Sequence, residues 1–403
     1  MILNPSLALL ISIAAILILL RLKVHPGFAI FAGSLVVALL VLPISDMPSL
    51  MRQSLVEQQT IRLLVVVTSA LTLSSLMEEK GLLAKLATTM ESIGPKLAIH
   101  LVPAVIGLVP MPAGALVSAT ASQGLVKRLG LNPEQGTLIN YWFRHIWEFS
   151  VPVYPAIIIT SAVLSIPLFT VVKTLSPMTA LAIVSGAVLS YGILKKVPKT
   201  KGEPANKKTI AYNFLRAAWP ILLLVPLILL GLDAMIAFPL TLALLAGQQR
   251  AKWPELKKAF RYGFNPRILL LLYAIMLYKA TIESSDAAGM LISDMQAVGL
   301  PTLLILVALP LLMGLATGIS MAFAGVALPL LVPYIALESG INSYALLLAY
   351  VSGMMGLLLS PLHLCLILSA EYFKANLTKV YKYLLPLAMV IEAIAILIYL
   401  IGT

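Results

Sequence analysis

Arg144, His145 and Glu148 fall within five consecutive residues of an otherwise apolar region, where ionisable groups are costly and are usually kept for a function. Arginine offers a permanently charged, planar fork of N–H donors that fits a carboxylate. A neighbouring histidine or glutamate can carry a proton or hold a cation. Asn132-Pro133 reads as a helix start, an N-cap followed by proline at the first position. Arg144 then lies roughly 16 Å along that helix at about 1.5 Å per residue, close to a membrane midplane, with Asn140 one turn earlier on the same face. Two other readings fit these residues. Arg144 and Glu148 at i, i+4 can form a bracing pair, and His145 and Glu148 share a face as metal ligands would. An intramembrane metalloenzyme needs further ligands nearby, and the chain has only four histidines. No catalytic residue, metal ligand or cofactor is therefore expected, and the chain is not expected to be an enzyme.

Apolar segments are interrupted by proline, glycine or serine at residues 110–114, 150–155, 317–320 and 360–363. Non-helical backbone inside a membrane is tolerated only where protein or a water-filled cavity satisfies it. Such interruptions offer carbonyls to a cation and helix N-termini to an anion. The substrate seat is expected to draw on Met111, Pro112, Gly114, Ser118, Asn140, Arg144, Ser150, Thr317, Gly318, Ser320, Ser360 and His363. Ion coupling is expected to draw on His145, Glu148, Ala113, Ile319 and Pro361. The small residues at the tips serve close helix packing equally well, and His363 can be a hydrogen-bonded packing residue. Glu392, in the last apolar run, reads as a helix or subunit contact.

The elements that must position these groups are transmembrane helices. The 403 residues are 60% hydrophobic and 11% charged, with mean hydropathy +1.01. Soluble domains run nearer 25% charged. The net charge of +12 sits in short loops, the positive-inside pattern, which argues against a nucleic-acid-binding face. The single cysteine, Cys365, can form no intramolecular disulfide, and no Cys/His spacing of a structural zinc site is present. The first apolar run reads as a retained helix.

The patterning predicts, in the first half, helices at 5–20, 26–44 and 61–77, an amphipathic stretch at 78–93 and a re-entrant hairpin at 97–126. A broken helix at 133–166 and a helix at 176–194 close that half. The second half is expected to hold helices at 211–230, 232–247 and 267–281, a hairpin at 301–334, a broken helix at 343–371 and a last helix at 384–401. Between them lies a lysine-rich linker, 195–210, expected in the cytoplasm. The hairpin arms are too short to span about 30 Å. Each half then crosses an odd number of times, which makes the halves inverted repeats, residues 1–194 and 211–403, with both termini outside. The halves also align: Glu78 with Glu283 and Met90 with Met295, both 205 residues apart. The fold class is an all-α polytopic membrane protein of two inverted-topology repeats, each about five transmembrane helices plus a re-entrant hairpin and a broken helix.

Three stretches carry a resemblance: Val109-Pro110-Met111-Pro112-Ala113-Gly114-Ala115, Phe143-Arg144-His145-Ile146-Trp147-Glu148-Phe149 and Leu359-Ser360-Pro361-Leu362-His363-Leu364-Cys365. With the paired halves, they resemble the ion-transporter superfamily, and most closely the prokaryotic domain-of-unknown-function family 401 of integral membrane proteins. The Ser-Asn-Thr type tips of the sodium-coupled dicarboxylate branch are absent. The resemblance implies a homodimer of elevator-type carriers with Na+ or H+ coupling. The expectation is a secondary transporter of a small organic anion, carboxylate-type, in the inner membrane. A cation/proton antiporter is the alternative, with a passive channel behind it.

Overall fold

The computed structural model describes residues 3–111, 114–195, 206–337 and 340–402. Pro112, Ala113 and linker residues 196–205 lie outside the described residues.

The first half opens with α1 (Pro5–Arg21) and α2 (Pro26–Val41). Both begin at proline behind a side chain that accepts an amide proton, Asn4 for α1 and His25 for α2. There proline's missing N–H costs nothing. Burial and the Arg267 guanidinium push the His25 imidazole below its ordinary range, in keeping with a ring nitrogen that accepts from Gly27. Then come α3 (Met47–Val56), α4 (Gln58–Glu79) and α5 (Leu82–Glu91). The hairpin is α6 (Pro95–Gly107) and α7 (Gly114–Arg128). The broken helix is α8 (Pro133–His145), a 3-10 turn (Ile146–Phe149) and α9 (Pro155–Val163), and α10 (Leu168–Leu194) ends the half.

The second half repeats this order: α11 (Lys207–Leu229), α12 (Ala234–Gln248), α13 (Trp253–Gly263), α14 (Pro266–Ser285) and α15 (Ala287–Ala297). The second hairpin is α16 (Thr302–Thr317) and α17 (Ser320–Leu330). A short α18 (Val332–Ile335) and a two-residue hairpin of β1 (Ala336–Leu337) with β2 (Gly340–Ile341), Ala336 paired to Ile341, lead onward. The second broken helix is α19 (Ser343–Leu359) with α20 (Leu364–Phe373), and α21 (Leu377–Gly402) is last. The chain is an all-α polytopic membrane protein. Among the described residues, six stretches are long and apolar enough to cross a bilayer, α4, α10, α11, α13–α14, α19–α20 and α21. The hairpin arms have 13, 15, 16 and 11 residues, roughly 16–24 Å at about 1.5 Å each, short of a bilayer core.

Three features differ from expectation. α10 begins at Leu168 rather than 176, because Pro177 is carried inside the helix instead of starting it. The helices α3 and α13 were not expected. α13 carries its own start signal: Pro254 in its first turn, and a Glu255 carboxylate that accepts the Lys252 amide at 2.7 Å. The small β hairpin was not expected either.

Contacts between the halves are exchanged pairwise. α2 packs on α14 and α12 on α4; α1 on α15 and α11 on α5; α9 on α17 and α20 on α7. A two-fold relation between matching elements produces this reciprocity. The tightest seam joins α16 to α19. A Cβ added to Gly356 would lie 2.1 Å from the Leu311 carbonyl oxygen, and one on Gly314 2.2 Å from that of Gly353. Small residues of this kind let membrane helices approach backbone to backbone. Gly356→Ala should therefore destabilise the detergent-solubilised protein in thermal unfolding, by about 1–3 kcal/mol for forced repacking. Gly192→Ala, with open space around its added Cβ, should be neutral or stabilising. Equal effects would contradict this packing.

Candidate functional site

The four interruptions meet. α8 stops at His145, and the following 3-10 turn leads to non-helical backbone before Pro155. α19 stops at Leu359, and Ser360–His363 separate it from α20. The second hairpin turns at Gly318, whose φ of +63° is left-handed. An added Cβ there would lie 2.8 Å from the His363 nitrogen, so glycine is required both by conformation and by the close approach of the second break. The first tip touches the first break in the same way: a Cβ on Gly114 would lie 2.2 Å from Arg144 Nη2.

Carbonyls released by these interruptions find donors, many of them aromatic. Tyr141 donates to Leu358 (3.0 Å) and Tyr381 to Leu359 (2.9 Å), at the end of α19. Trp147 donates to Ala104 (2.7 Å) and Tyr154 to Gly107, at the end of α6. Tyr350 donates to Glu148 (2.8 Å) in the 3-10 turn. Ser360 Oγ donates to Leu315 at 2.7 Å and accepts the Leu362 amide. Helix ends buried without water require such partners. The carbonyls of Ala104, Gly107, Glu148, Leu315, Leu358 and Leu359 are thus engaged by protein donors.

The ionisable centre is buried. Arg144, His145, Glu148 and His363 are 3%, 1%, 7% and 9% exposed. Arg144 Nη2 donates to the Met111 carbonyl at 3.4 Å, and Nη1 is 4.0 Å from Glu148 Oε1. The tighter 3-10 turn carries Glu148 off the α-helical i+4 position. Among the described residues Arg144 Nε has no hydrogen-bond partner. Glu148 Oε1 is 3.7 Å from His145 Nε2, and His145 Nε2 faces His363 Nε2 at 3.1 Å. Each ring's Nδ1 lies against a carbonyl, Tyr141 at 2.6 Å and Gly318 at 2.8 Å. A carbonyl only accepts, so each Nδ1 carries a proton, and in the neutral ring each Nε2 then keeps a lone pair. Cys365 lies beside them, its sulfur and the two ring nitrogens all within 4.8 Å.

Other expected residues are placed differently. Asn140 turns from Arg144 and donates to the Ala115 carbonyl (3.1 Å) and Ser369 Oγ (2.9 Å). Ser118 also bonds the Ala115 carbonyl. Ser150 pairs with Thr179 on α10 at 2.6 Å. Thr317 and Ile319 line an open cavity of about 550 Å³ with Lys23, His25, Arg267 and Leu362. Pro361 is exposed and Ser320 half-buried. Glu392 accepts from Ser352 at 2.6 Å in the α19–α21 packing. Of the remaining histidines, His25 caps α2 and His100 meets Ser190 at 2.8 Å. Residue patterning missed Tyr141, Tyr154, Tyr350, Ser369 and Cys365 as parts of the site, although Tyr154 lies in the 150–155 interruption and Cys365 closes the third of the stretches quoted above.

Residues 4–402 match the family described as protein of unknown function (DUF401). The chain belongs to the DUF401 family. No curated protein matches it.

In this DUF401 protein the Asn140 amide nitrogen ties α8 to the first hairpin and to α20. Asn140→Ala removes both of these buried hydrogen bonds, and should cost about 1–3 kcal/mol in thermal unfolding. Ser150→Ala should cost less, since only a hydroxyl pair is lost. The reverse order would contradict these assignments.

Proposed function

We propose that this protein is a secondary transporter that moves a small organic anion of the carboxylate type, coupled to an H+ or Na+ gradient by elevator-like alternating access. The observation that carries this reading is Arg144: a buried guanidinium whose Nε has no partner among the described residues and whose nearest carboxylate is no closer than 4.0 Å, where a hairpin tip meets a helix break. Unpaired donors in low dielectric are costly. A planar anion that accepts from the guanidinium edge removes that cost.

Charge balance supplies the coupling. Arg144 and Glu148 cancel, so an anion brought between them leaves a net negative charge in a medium where that is expensive. One added cation restores neutrality. The facing lone pairs of His145 and His363 are a seat for it, and their 3.1 Å separation suits a shared proton better than Na+, which prefers several oxygens. The basic cavity beside the second tip, with Lys23 and Arg267, draws anions toward the site.

The loop charges support an inverted arrangement with a cytoplasmic linker and both termini outside. Counting crossings from a cytoplasmic linker puts Glu79, Lys80, Glu255 and Lys258 at the inner side and Arg62 and Asp233 at the outer, so the pairs Lys80–Glu255, Lys258–Glu79 and Arg62–Asp233 each join groups of one side. The inner membrane and a homodimer are the natural setting for an elevator carrier. A cation/proton antiporter is the second reading, favoured by Glu148 lying next to His145.

Purified full-length protein in liposomes, offered a panel of carboxylates under imposed H+ or Na+ gradients, tests this. Gradient-driven uptake of a carboxylate is expected. Arg144→Gln should lower it roughly 100-fold, the scale of a lost charge-assisted pair, with thermal unfolding little changed. No uptake across the panel, or cation exchange without any anion, would overturn the carrier reading. An Arg144→Gln protein that no longer folds would assign Arg144 to bracing.

A further inference from the structure

We propose that His145, His363 and Cys365 form a binding site for a thiophilic transition-metal ion of the Zn2+ class, held where the two broken helices cross. The three donor atoms lie within 4.8 Å of one another, although they come from opposite halves of the chain. Both histidines are oriented as zinc ligands are. Each gives its Nδ1 proton to a carbonyl, of Tyr141 or of Gly318, which fixes the ring and leaves Nε2 as the donor to the metal. Two nitrogens on a tetrahedral zinc, each about 2.0–2.1 Å from it, sit roughly 3.3 Å apart. The observed Nε2 separation is 3.1 Å, so the ion enters with a small movement of either ring.

Without an ion or an added proton, the two lone pairs face each other unopposed. Cys365 decides the class of metal. A thiolate with two imidazoles selects zinc-like or softer ions over Na+, Mg2+ or Ca2+. Three protein ligands leave a fourth position, open to Glu148, whose Oε1 is 3.7 Å from His145 Nε2, or to a bound anion. A doubly charged ion with one thiolate adds one net positive charge, the same as the cation invoked for coupling. With an anion at Arg144 that charge restores neutrality; without one, a bound anion in the fourth position offsets it. By joining His145 of α8 to two residues at the start of α20, a metal would also tie the two breaks together.

The test uses full-length protein purified with its affinity tag removed, dialysed against Zn2+ and then analysed for bound metal, with Co2+ as a spectroscopic probe. About one zinc per chain and a thiolate-to-cobalt charge-transfer band are expected. Cys365→Ser should abolish the band, and His363→Ala should weaken zinc binding by at least about 100-fold, the scale of one lost ligand. His100→Ala, at a histidine bonded to Ser190, should change neither. The readout is bound metal, so the outcome is separate from that of the carrier proposal. Absence of zinc from the wild-type protein, or a cobalt spectrum unchanged in Cys365→Ser, would overturn the site. If His363→Ala fails to fold, the Cys365→Ser spectrum decides.

Discussion

A helix that stops inside hydrocarbon leaves carbonyls at one end and amides at the other with no water to receive them, and this constraint organises the whole molecule. Two hairpins and two broken helices create such ends near the centre of the chain's fold. The donors that meet them come from elsewhere: Tyr141 and Tyr381 reach the end of α19, Trp147 and Tyr154 the end of α6, and Tyr350 the turn after α8. Each of these bonds joins a break or tip to a different element. Tips and breaks are thereby held as one unit rather than as separate irregularities, and the pairwise exchange of contacts between the halves brings both sets to the same place.

That unit contains more ionisable chemistry than backbone satisfaction requires. It holds a buried arginine whose Nε is unpartnered among the described residues, a glutamate at the limit of pairing distance and two imidazoles set nitrogen to nitrogen. A bracing pair would approach to about 2.7–2.9 Å. On the proposed reading, these separations leave room for additional charges: an anion at Arg144 and a cation between the rings. Because His145 belongs to one half and His363 to the other, whatever cation sits there reports on how the two breaks are placed.

Much of this was legible in the sequence, for local reasons. Prolines at helix starts, glycine at the second tip and the Ser-Pro breaks are features of the nearby chain, and they marked the interruptions to within a few residues. The helices α3 and α13 escaped because short amphipathic segments between spans leave little trace in hydropathy, though Trp253-Pro254-Glu255 was a usable start signal. What could not be read was which distant side chain meets which break. Nothing near Tyr350 announces that its hydroxyl ends on Glu148, 202 residues away. Cys365 looked like one more apolar position until the fold put it beside His145. Asn140 was assigned Arg144's face by helical spacing, yet the neighbouring hairpin and Ser369 offered it better partners.

The central claim is that Arg144 and Glu148 cancel, so that a singly charged anion enters with one cation. The direct measurement is uptake of a monocarboxylate into proteoliposomes with the membrane potential clamped at different values and the coupling gradient held constant. An uptake rate independent of potential is the predicted result. A rate that rises or falls steeply with potential would mean that uncompensated charge crosses with the substrate, and would contradict the account.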